Sequence, residues 1–147
     1  MISTEPIESF NKSFDMVSLF VICGGKILLL RRREGKLQGN AWGPVAGKVE
    51  GGETPKEAVL RETLEETGVS LKSKQIIKYE KNYFARHGDT DFIFYVFVVE
   101  LDKYPDVYLS AAEYSEYDWF TPQEALALEL VVDEEVPIAD YFFGGEL

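Results

Sequence analysis

The chain has 147 residues, a single cysteine and a formal net charge of −11 at pH 7. A chain of this length suits one domain, taken as residues 1–147, and its acidic balance argues against broad electrostatic binding to nucleic acid. No apolar run reaches the roughly 18 residues of a membrane helix, and the lone Cys23 fits a reducing compartment, so we expect a cytoplasmic protein without a membrane contact.

The chain begins with two predicted strands, residues 16–22 and 26–32. They are joined through Gly24 and Gly25, a pair that indicates a tight hairpin. Residues 42–47 follow as a short extended segment. We therefore expect the chain to run from a hairpin directly into the next helix.

That helix is predicted over Pro55–Thr67, because both of its ends carry a local signal. Thr54 and Glu57 have the spacing of a capping box, and proline at the first helical position is favourable. Gly68 follows the last periodic residue and allows the left-handed conformation that ends many helices.

The second half of the chain predicts more strands and two short helices. An uninterrupted apolar run, residues 92–99, indicates a central strand covered on both faces. The order of elements predicts an α/β protein, specifically an α/β/α sandwich built on a mixed β-sheet. The remaining predicted elements are strands 74–84, 92–101 and 114–120, a capped helix over 125–128, and a last helix over 133–143 that is interrupted or begun at Pro137.

The predicted helix places three carboxylates on one face, since Glu62, Glu65 and Glu66 align at about 100° per residue. The opposite side is expected to anchor the helix, through Leu60, Leu64 and Thr67 with Val59 and Thr63 flanking them. Like charges this dense repel one another, and a hard divalent cation would offset that repulsion. The alternative is a solvated face with ordinary ion pairs, but the glycine-rich approach before the helix favours a ligand.

These residues resemble the Nudix box, G-x5-E-x7-R-E-U-x-E-E-x-G-U, in which U is a bulky aliphatic residue. Thr63 is the single departure, and its hydroxyl needs a partner if it is buried. Eight of the nine fixed positions are filled, by Gly47, Glu53, Arg61, Glu62, Glu65, Glu66, Gly68 and Val69.

The resemblance implies the Nudix fold and a pyrophosphohydrolase that depends on Mg²⁺ (or Mn²⁺). It implies Glu62 and Glu66 as principal metal ligands, Glu65 in a second metal site, and the backbone carbonyl of Ala46 as a further ligand. Glu53 and Arg61 would be supporting catalytic residues, with Arg61 orienting carboxylates through bidentate bonds.

The general base has two candidate locations. Within the box, Glu62 or Glu65 is a candidate proton acceptor. Outside it, the segment 110–118 offers Glu113, Glu116 and Asp118 just before Trp119 and Phe120. We favour Glu116 as the late base or metal ligand.

Substrate contacts are expected from basic and aromatic residues near the box, namely Arg31, Arg33, Trp42 and Lys48. Strand alternation would point Arg31 and Arg33 one way and Arg32 the other. The sequence around the box favours a small-molecule nucleotide, most readily a nucleoside triphosphate, including oxidised or non-standard ones.

Three alternatives stay open at this point. The first is another substrate, either a nucleotide sugar or a dinucleoside polyphosphate. The second is a domain that senses nucleotides without cleaving them. The third is a plain interaction domain. The aromatic residues 141–143 are either a homodimer interface or part of the core.

Overall fold

The computed structural model describes residues 1–145, so the end of the predicted domain at residue 147 lies outside the described part. Within it, eight strands form one mixed sheet. The strands are β1 (Ile2–Ser3), β2 (Lys12–Cys23), β3 (Lys26–Arg32), β4 (Trp42–Gly43), β5 (Val45–Lys48), β6 (Ile77–His87), β7 (Thr90–Leu101) and β8 (Tyr114–Phe120).

Strand β2 organises the sheet. One of its edges pairs in parallel with β7, and the other pairs antiparallel with β5 and, at its end, with β3. Strand β3 pairs with β8 and β4, while β6 joins β7 to the short β1. The predicted central strand is confirmed, because β7 lies between β2 and β6.

Helices cover both faces of this sheet. Helix α1 (Pro55–Thr67) packs on one face, while α2 (Pro122–Leu126) and α3 (Glu135–Phe143) pack on the other. Each face buries its own apolar cluster, and strand alternation sends neighbouring residues such as Leu28 and Leu29 to opposite clusters. The predicted α/β/α sandwich with a mixed sheet is therefore confirmed.

Helix α1 begins and ends where the sequence predicted. The Thr54 hydroxyl accepts from the Glu57 N–H at 3.1 Å, and the Glu57 carboxylate accepts from the Thr54 N–H at 2.9 Å. Gly68 takes φ 71° at the other end. Both signals act within one turn of chain, which is why the sequence alone sufficed.

The predicted anchoring stripe of α1 is confirmed in part, because Thr67 and the flanking Val59 and Thr63 are fully buried. Leu64 is 53% exposed, whereas Ala58, Val59 and Thr63 are fully buried against the sheet. Small and β-branched side chains allow the helix axis to lie close to β5 and β2. The Thr63 hydroxyl donates to the Val59 carbonyl at 2.6 Å, so the departure from the box pattern is satisfied locally.

Several predicted boundaries also differ from the structure. Strand β2 starts at Lys12 instead of residue 16, and β6 runs through His87, beyond its predicted end at residue 84. Residues 73–75 form a 3-10 helix in place of the predicted start of that strand. Pairing with distant strands extends β2 and β6 through residues whose local pattern is polar.

The C-terminal aromatic residues contribute to the core. Tyr141 and Phe142 in α3 pack against Phe20, with ring centroids 5.9 and 5.7 Å away. Of the two interpretations of this segment, core packing is the one seen for these rings. None of the helices in residues 1–145 combines the length and the apolar character that crossing a membrane demands.

Candidate active site

The site begins where α1 passes over β5. The carboxyl group of Glu62 lies directly above Gly47, so closely that a Cβ atom on Gly47 would overlap it. Glycine is therefore required at this position by close approach, since its φ is not left-handed. This contact explains why the first residue of the box carries no side chain.

Arg61 holds the surrounding carboxylates in place. Its Nε and Nη2 donate to the two oxygens of Glu53 at 2.7 and 3.1 Å, which is the predicted bidentate contact. Its Nη1 donates to Glu62 at 2.7 Å and to Glu65 at 3.2 Å. Its Nη2 also donates to the Lys48 carbonyl at 3.0 Å, which ties the helix to the end of β5. The guanidinium lowers the pKa of Glu53 chiefly through their hydrogen bond.

Glu66 is the most deeply buried acid of the box, with 3% of its surface exposed. One of its oxygens accepts from the Tyr114 hydroxyl at 2.8 Å and from the Ala46 N–H at 3.4 Å. Burial, reinforced by the neighbouring Glu62 carboxyl, raises the pKa of Glu66 well above its usual range. Two adjacent carboxyl groups in a dry environment either share a proton or need a cation.

The donor chemistry here fits a hard divalent cation. Glu62, Glu66 and the backbone of Ala46 lie together, and carboxylate and carbonyl oxygens are the ligands that Mg²⁺ and Mn²⁺ accept. Glu65 is set apart, because its side chain is 57% exposed and bonded to Arg61. Among residues 1–145, no group of three acidic, histidine or cysteine side chains is arranged as a ready-made cluster.

A cavity of about 640 Å³ opens beside this pair of carboxyls. One end, which we call the carboxylate end, contains Ala46, Gly47, Lys48, Glu62 and Glu66. The wall beyond it is apolar and largely aromatic. The other end, which we call the distal end, is polar. The wall consists of Phe14, Met16, Phe92 and Phe94, and the distal end of His87, Thr90, Asp133 and Glu134.

Lys48, a predicted substrate contact, lines the cavity, and so does Arg32, which was not selected as one. Arg31 bonds instead to Glu116 at 3.1 Å, and the Arg33 Nε donates to the Ala111 carbonyl at 2.7 Å. The predicted alternation along β3 is present, but it is Arg32 that faces the cavity. The expectation for Lys48 therefore agrees with its position, while the expectations for Arg31 and Arg33 do not.

Trp42, predicted as a substrate contact, belongs to the core. It is 9% exposed, meets the Phe120 ring edge-on at 5.1 Å, and lies beneath the Arg31 guanidinium at 5.9 Å. These contacts place it in the cluster under α2 and α3, and it is absent from the cavity walls within the described chain.

Glu116, favoured as the late base or metal ligand, lies in strand β8, where a strand over 114–120 was predicted. It is paired there with Arg31, whose guanidinium covers Trp42 on the sheet face opposite α1. Glu113, the first of the three candidate late acids, instead lines the cavity next to Tyr114. The correction follows from strand pairing, which fixes side-chain direction residue by residue.

Tyr114, Arg32 and Glu134 were missed by reasoning from the sequence. Tyr114 reaches Glu66 only because β8 pairs with β3, and Glu134 reaches the cavity only through the turn before α3. Arg32 had one usable signal, the alternation along β3, which separates it from its two neighbours. No local sequence pattern marks Tyr114 or Glu134.

The fold and the site together place the acidic residues of one helix above a mixed sheet and beside a cavity. The match to the model of the NUDIX domain covers residues 14–141. The chain belongs to the Nudix family, so it is a hydrolase of phosphoric anhydride bonds that acts on nucleotide-like substrates. Hydrolases of this family use divalent metal ions.

Three relatives illustrate the similarity. The chain is 35% identical over 106 residues to the mouse bis(5'-nucleosyl)-tetraphosphatase (asymmetrical), spanning 70% of this chain and 69% of that protein. It is 26% identical to the CTP pyrophosphohydrolase of Escherichia coli K12, over 89% of this chain and 92% of that protein. The E. coli dihydroneopterin triphosphate pyrophosphohydrolase shares the fold, with a TM-score of 0.76, 21% identity, and coverage of 92% and 99%.

Proposed function

We propose that the protein hydrolyses nucleoside triphosphates in the presence of Mg²⁺ or Mn²⁺. The observation that carries this proposal is the adjacent pair of the partly buried Glu62 and the buried Glu66 at one end of a cavity with aromatic walls. A volume of about 640 Å³ suits one nucleotide. The relative named as a CTP pyrophosphohydrolase, aligned along most of both chains, supports the same substrate class.

The proposed ligands for the metal ion are Glu62, Glu66 and the Ala46 carbonyl, with Glu65 joining a second site. The ion would neutralise phosphate charge and lower the pKa of a bound water. Arg61 holds Glu62 and Glu65 in position through its hydrogen bonds. Glu53 supports this arrangement by fixing the guanidinium.

Lys48 and Arg32 are the basic side chains in the cavity wall and would contact the phosphates. Water oxygen attacks a phosphorus atom, the P–O bond to the leaving phosphate group breaks, and the water proton passes to a carboxylate. We propose Glu113, in place of Glu116, as the acceptor of that proton, because Glu113 lines the cavity. Glu62 and Glu65 are the alternatives within the box.

Dinucleoside polyphosphates are the second candidate substrate class. The observation that favours them is the 35% identity to a bis(5'-nucleosyl)-tetraphosphatase. Such a molecule would place one nucleoside in the cavity and the other outside it. Nucleotide sugars and a sensing role without turnover are further alternatives, and they differ in which product, if any, is released.

The test is release of phosphate or pyrophosphate from normal and oxidised nucleoside triphosphates, dinucleoside polyphosphates and nucleotide sugars, each with Mg²⁺, Mn²⁺ or EDTA. We expect metal-dependent turnover of the triphosphates above the other classes. Light scattering on the same preparation separates a monomer from the homodimer that the resemblance implies.

Glu66→Gln is the matching variant, because it keeps the shape and removes the charge. We expect loss of most turnover, on the order of a hundredfold or more, with an unchanged fold. Glu80→Gln, an exposed carboxylate on β6, is the control. Full activity in Glu66→Gln, or turnover that survives EDTA, would contradict the proposal.

A further inference from the structure

The turn that carries Glu113 is fastened to two other parts of the protein. At its start, the Ser110 N–H donates to the Glu66 carbonyl at 3.0 Å. At its end, the Arg33 N–H donates to the Glu113 carbonyl at 2.9 Å, and the Arg33 Nε donates to the Ala111 carbonyl at 2.7 Å. Arg33 and Ala111 are 78 residues apart in the chain. The turn therefore joins the end of α1 to the end of β3.

A β-bulge follows directly after this turn. Arg31 pairs with Glu116, whereas the next residue, Arg32, pairs with Tyr114, so Ser115 is an extra residue in β8. An extra residue in a strand redirects the side chains beside it. Tyr114 consequently points towards α1, where its hydroxyl donates to the most deeply buried acid of the box at 2.8 Å. The placement of the side chains at the start of β8 thus depends on how the turn before it is held.

The carboxyl group of Glu113 is supported differently from the other acids of the site. Arg61 bonds the carboxyl group of Glu62, and Tyr114 bonds that of Glu66. Glu113 is exposed at the cavity wall, and no side chain in residues 1–145 bonds its carboxyl group. Its position is therefore set by the backbone of the turn, and any tilt of that backbone moves the carboxyl group.

Arg33 supplies the side-chain bond that fixes this backbone. The side chain of Arg33 is exposed and is absent from the cavity walls within the described chain, so it does not contact a nucleotide placed there. Its contact with the turn uses the Nε–H group alone. Because the acceptor is a neutral backbone carbonyl, the feature of Arg33 that matters here is the donor and not the charge.

We propose that Arg33 is a positioning residue for Glu113, acting through the backbone of the turn 110–113. This rests on the proposed function, in which the proton of the attacking water passes to the Glu113 carboxylate. A proton acceptor must lie within hydrogen-bond reach of the proton that it takes, and a displacement of about 1 Å can lower turnover by up to about a hundredfold. Arg33 therefore acts on kcat and leaves binding of the triphosphate nearly unchanged.

Two substitutions separate the donor of Arg33 from its charge. The side-chain nitrogen of glutamine is as many bonds from the backbone as the Nε of arginine, so Arg33→Gln retains a donor there and removes the charge. Arg33→Met has the same length without a donor. We expect Arg33→Met to lower kcat by about tenfold or more with KM changed by less than about twofold, and Arg33→Gln to keep kcat within about threefold.

A direct phosphate contact would give a different pattern, because both variants lose the charge and both would raise KM. Lys36→Met is the control, since Lys36 is exposed in the same loop and also loses one positive charge. Its kcat and KM should match those of the unaltered protein. A loss of kcat in Arg33→Gln as large as that in Arg33→Met overturns the proposal. Unchanged kcat in Arg33→Met overturns it as well and leaves the hydrolase intact.

A double-mutant cycle identifies the group through which Arg33 acts. Glu113→Gln removes the proton acceptor and should lower kcat by about a hundredfold. If Arg33 positions that acceptor, adding Arg33→Met to Glu113→Gln should lower kcat no further. A general structural role would reduce kcat by the same factor in either background. Additive losses, or full activity in Glu113→Gln, overturn the proposal even though triphosphates are cleaved.

Hydrogen exchange tests the positioning without any turnover. The N–H groups of Glu113 and Tyr114 both donate to the Ser110 carbonyl, at 3.1 and 3.0 Å. Both should exchange about tenfold faster or more in Arg33→Met, and at the rate of the unaltered protein in Arg33→Gln. Unchanged exchange in Arg33→Met overturns the proposal. The expected exchange in a protein that cleaves no triphosphate supports the positioning by Arg33 and refutes only the proposed function.

Discussion

Tyr114 shows how much one residue outside the box contributes to the candidate site. Its hydroxyl donates to Glu66 at 2.8 Å, and both side chains are almost wholly buried. That hydrogen bond favours the ionised carboxylate, while burial and Glu62 favour the protonated one. A metal ion at the proposed site would bind the ionised form of Glu66. Tyr114 would therefore favour metal binding by Glu66 without being a ligand itself.

Tyr114→Phe should therefore weaken binding of Mn²⁺ at pH 7 by roughly tenfold or more. The pKa of Glu66 is raised in the folded protein, so protons compete with the metal and affinity should fall as the pH is lowered. That fall should be steeper in Tyr114→Phe. Calorimetric titration across pH measures both effects.

Tyr117→Phe is the control for this prediction, since Tyr117 lies on the same strand with 40% of its surface exposed. Equal Mn²⁺ affinity in Tyr114→Phe and Tyr117→Phe would show that the hydroxyl does not support Glu66.

At the scale of elements, the contact between α1 and β5 determines the shape of the carboxylate end. The Glu62 carboxyl occupies the space in which a Cβ of residue 47 would lie. Neither element can retreat easily, because Arg61 bonds the Lys48 carbonyl and Val59 is fully buried. A single methyl group at this point must displace the Glu62 carboxylate or the helix.

Gly47→Ala should therefore lower the free energy of unfolding by about 1–3 kcal/mol and reduce kcat/KM. Gly51→Ala is a matched control, because nothing lies within 4 Å of the added Cβ and its φ is not left-handed. Its stability should change by no more than about 0.5 kcal/mol. Denaturant unfolding and steady-state kinetics measure the two effects, and equal behaviour of the variants would refute the steric argument.

Helix α1 also shows where reasoning from sequence stops. Its ends were predicted to the residue because Thr54, Glu57 and Gly68 act on their own turn of backbone. The face that it buries was predicted only in part, because the apolar Leu64 was placed in it and is exposed. Docking over β5 instead favours the smaller side chains, and it carries Glu66 into the interior as part of the site.

At the scale of the whole molecule, an ion pair inside the hairpin of β6 and β7 is hydrogen bonded to the segment before β2. Asp91 is nearly buried and receives two bonds from Arg86, at 2.6 and 3.0 Å, and one from the Asn11 N–H at 2.7 Å. The hydrogen bond from Arg86 is the main reason why the pKa of Asp91 is lowered to about 2.

A lowered pKa in the folded state means that this ion pair stabilises the protein above the unfolded value of about 4. The contribution should be lost as the pH falls from about 4 towards 2. Asp91→Asn should lower the melting temperature at pH 7 and converge with the unaltered protein near pH 2. Asp89→Asn, in the exposed turn, is the control, and a constant difference across pH would contradict this account.

The topology of the sheet was predicted only as a class. The order of strands and helices indicated a mixed sheet with helices on both faces, because connection lengths and apolar runs can be read from short stretches of sequence. The parallel pairing of β2 with β7, which sets Val17 beside Tyr95, joins residues that share no local signal. For that reason the carboxylates were assigned from the sequence, while Tyr114, Glu113 and Glu134 required the assembled sheet.

The backbone from Trp42 to Gly47 connects the two ends of the cavity. It is hydrogen bonded at one end to the turn that leads to Glu134 and lies at the other end beneath Glu62. One inserted residue would lengthen an extended segment by about 3.3 Å and send the following side chains to the opposite face. The spacing between the two ends of the cavity is thus set by a count of peptide units, and engineering that spacing begins with the backbone before any change of side chain.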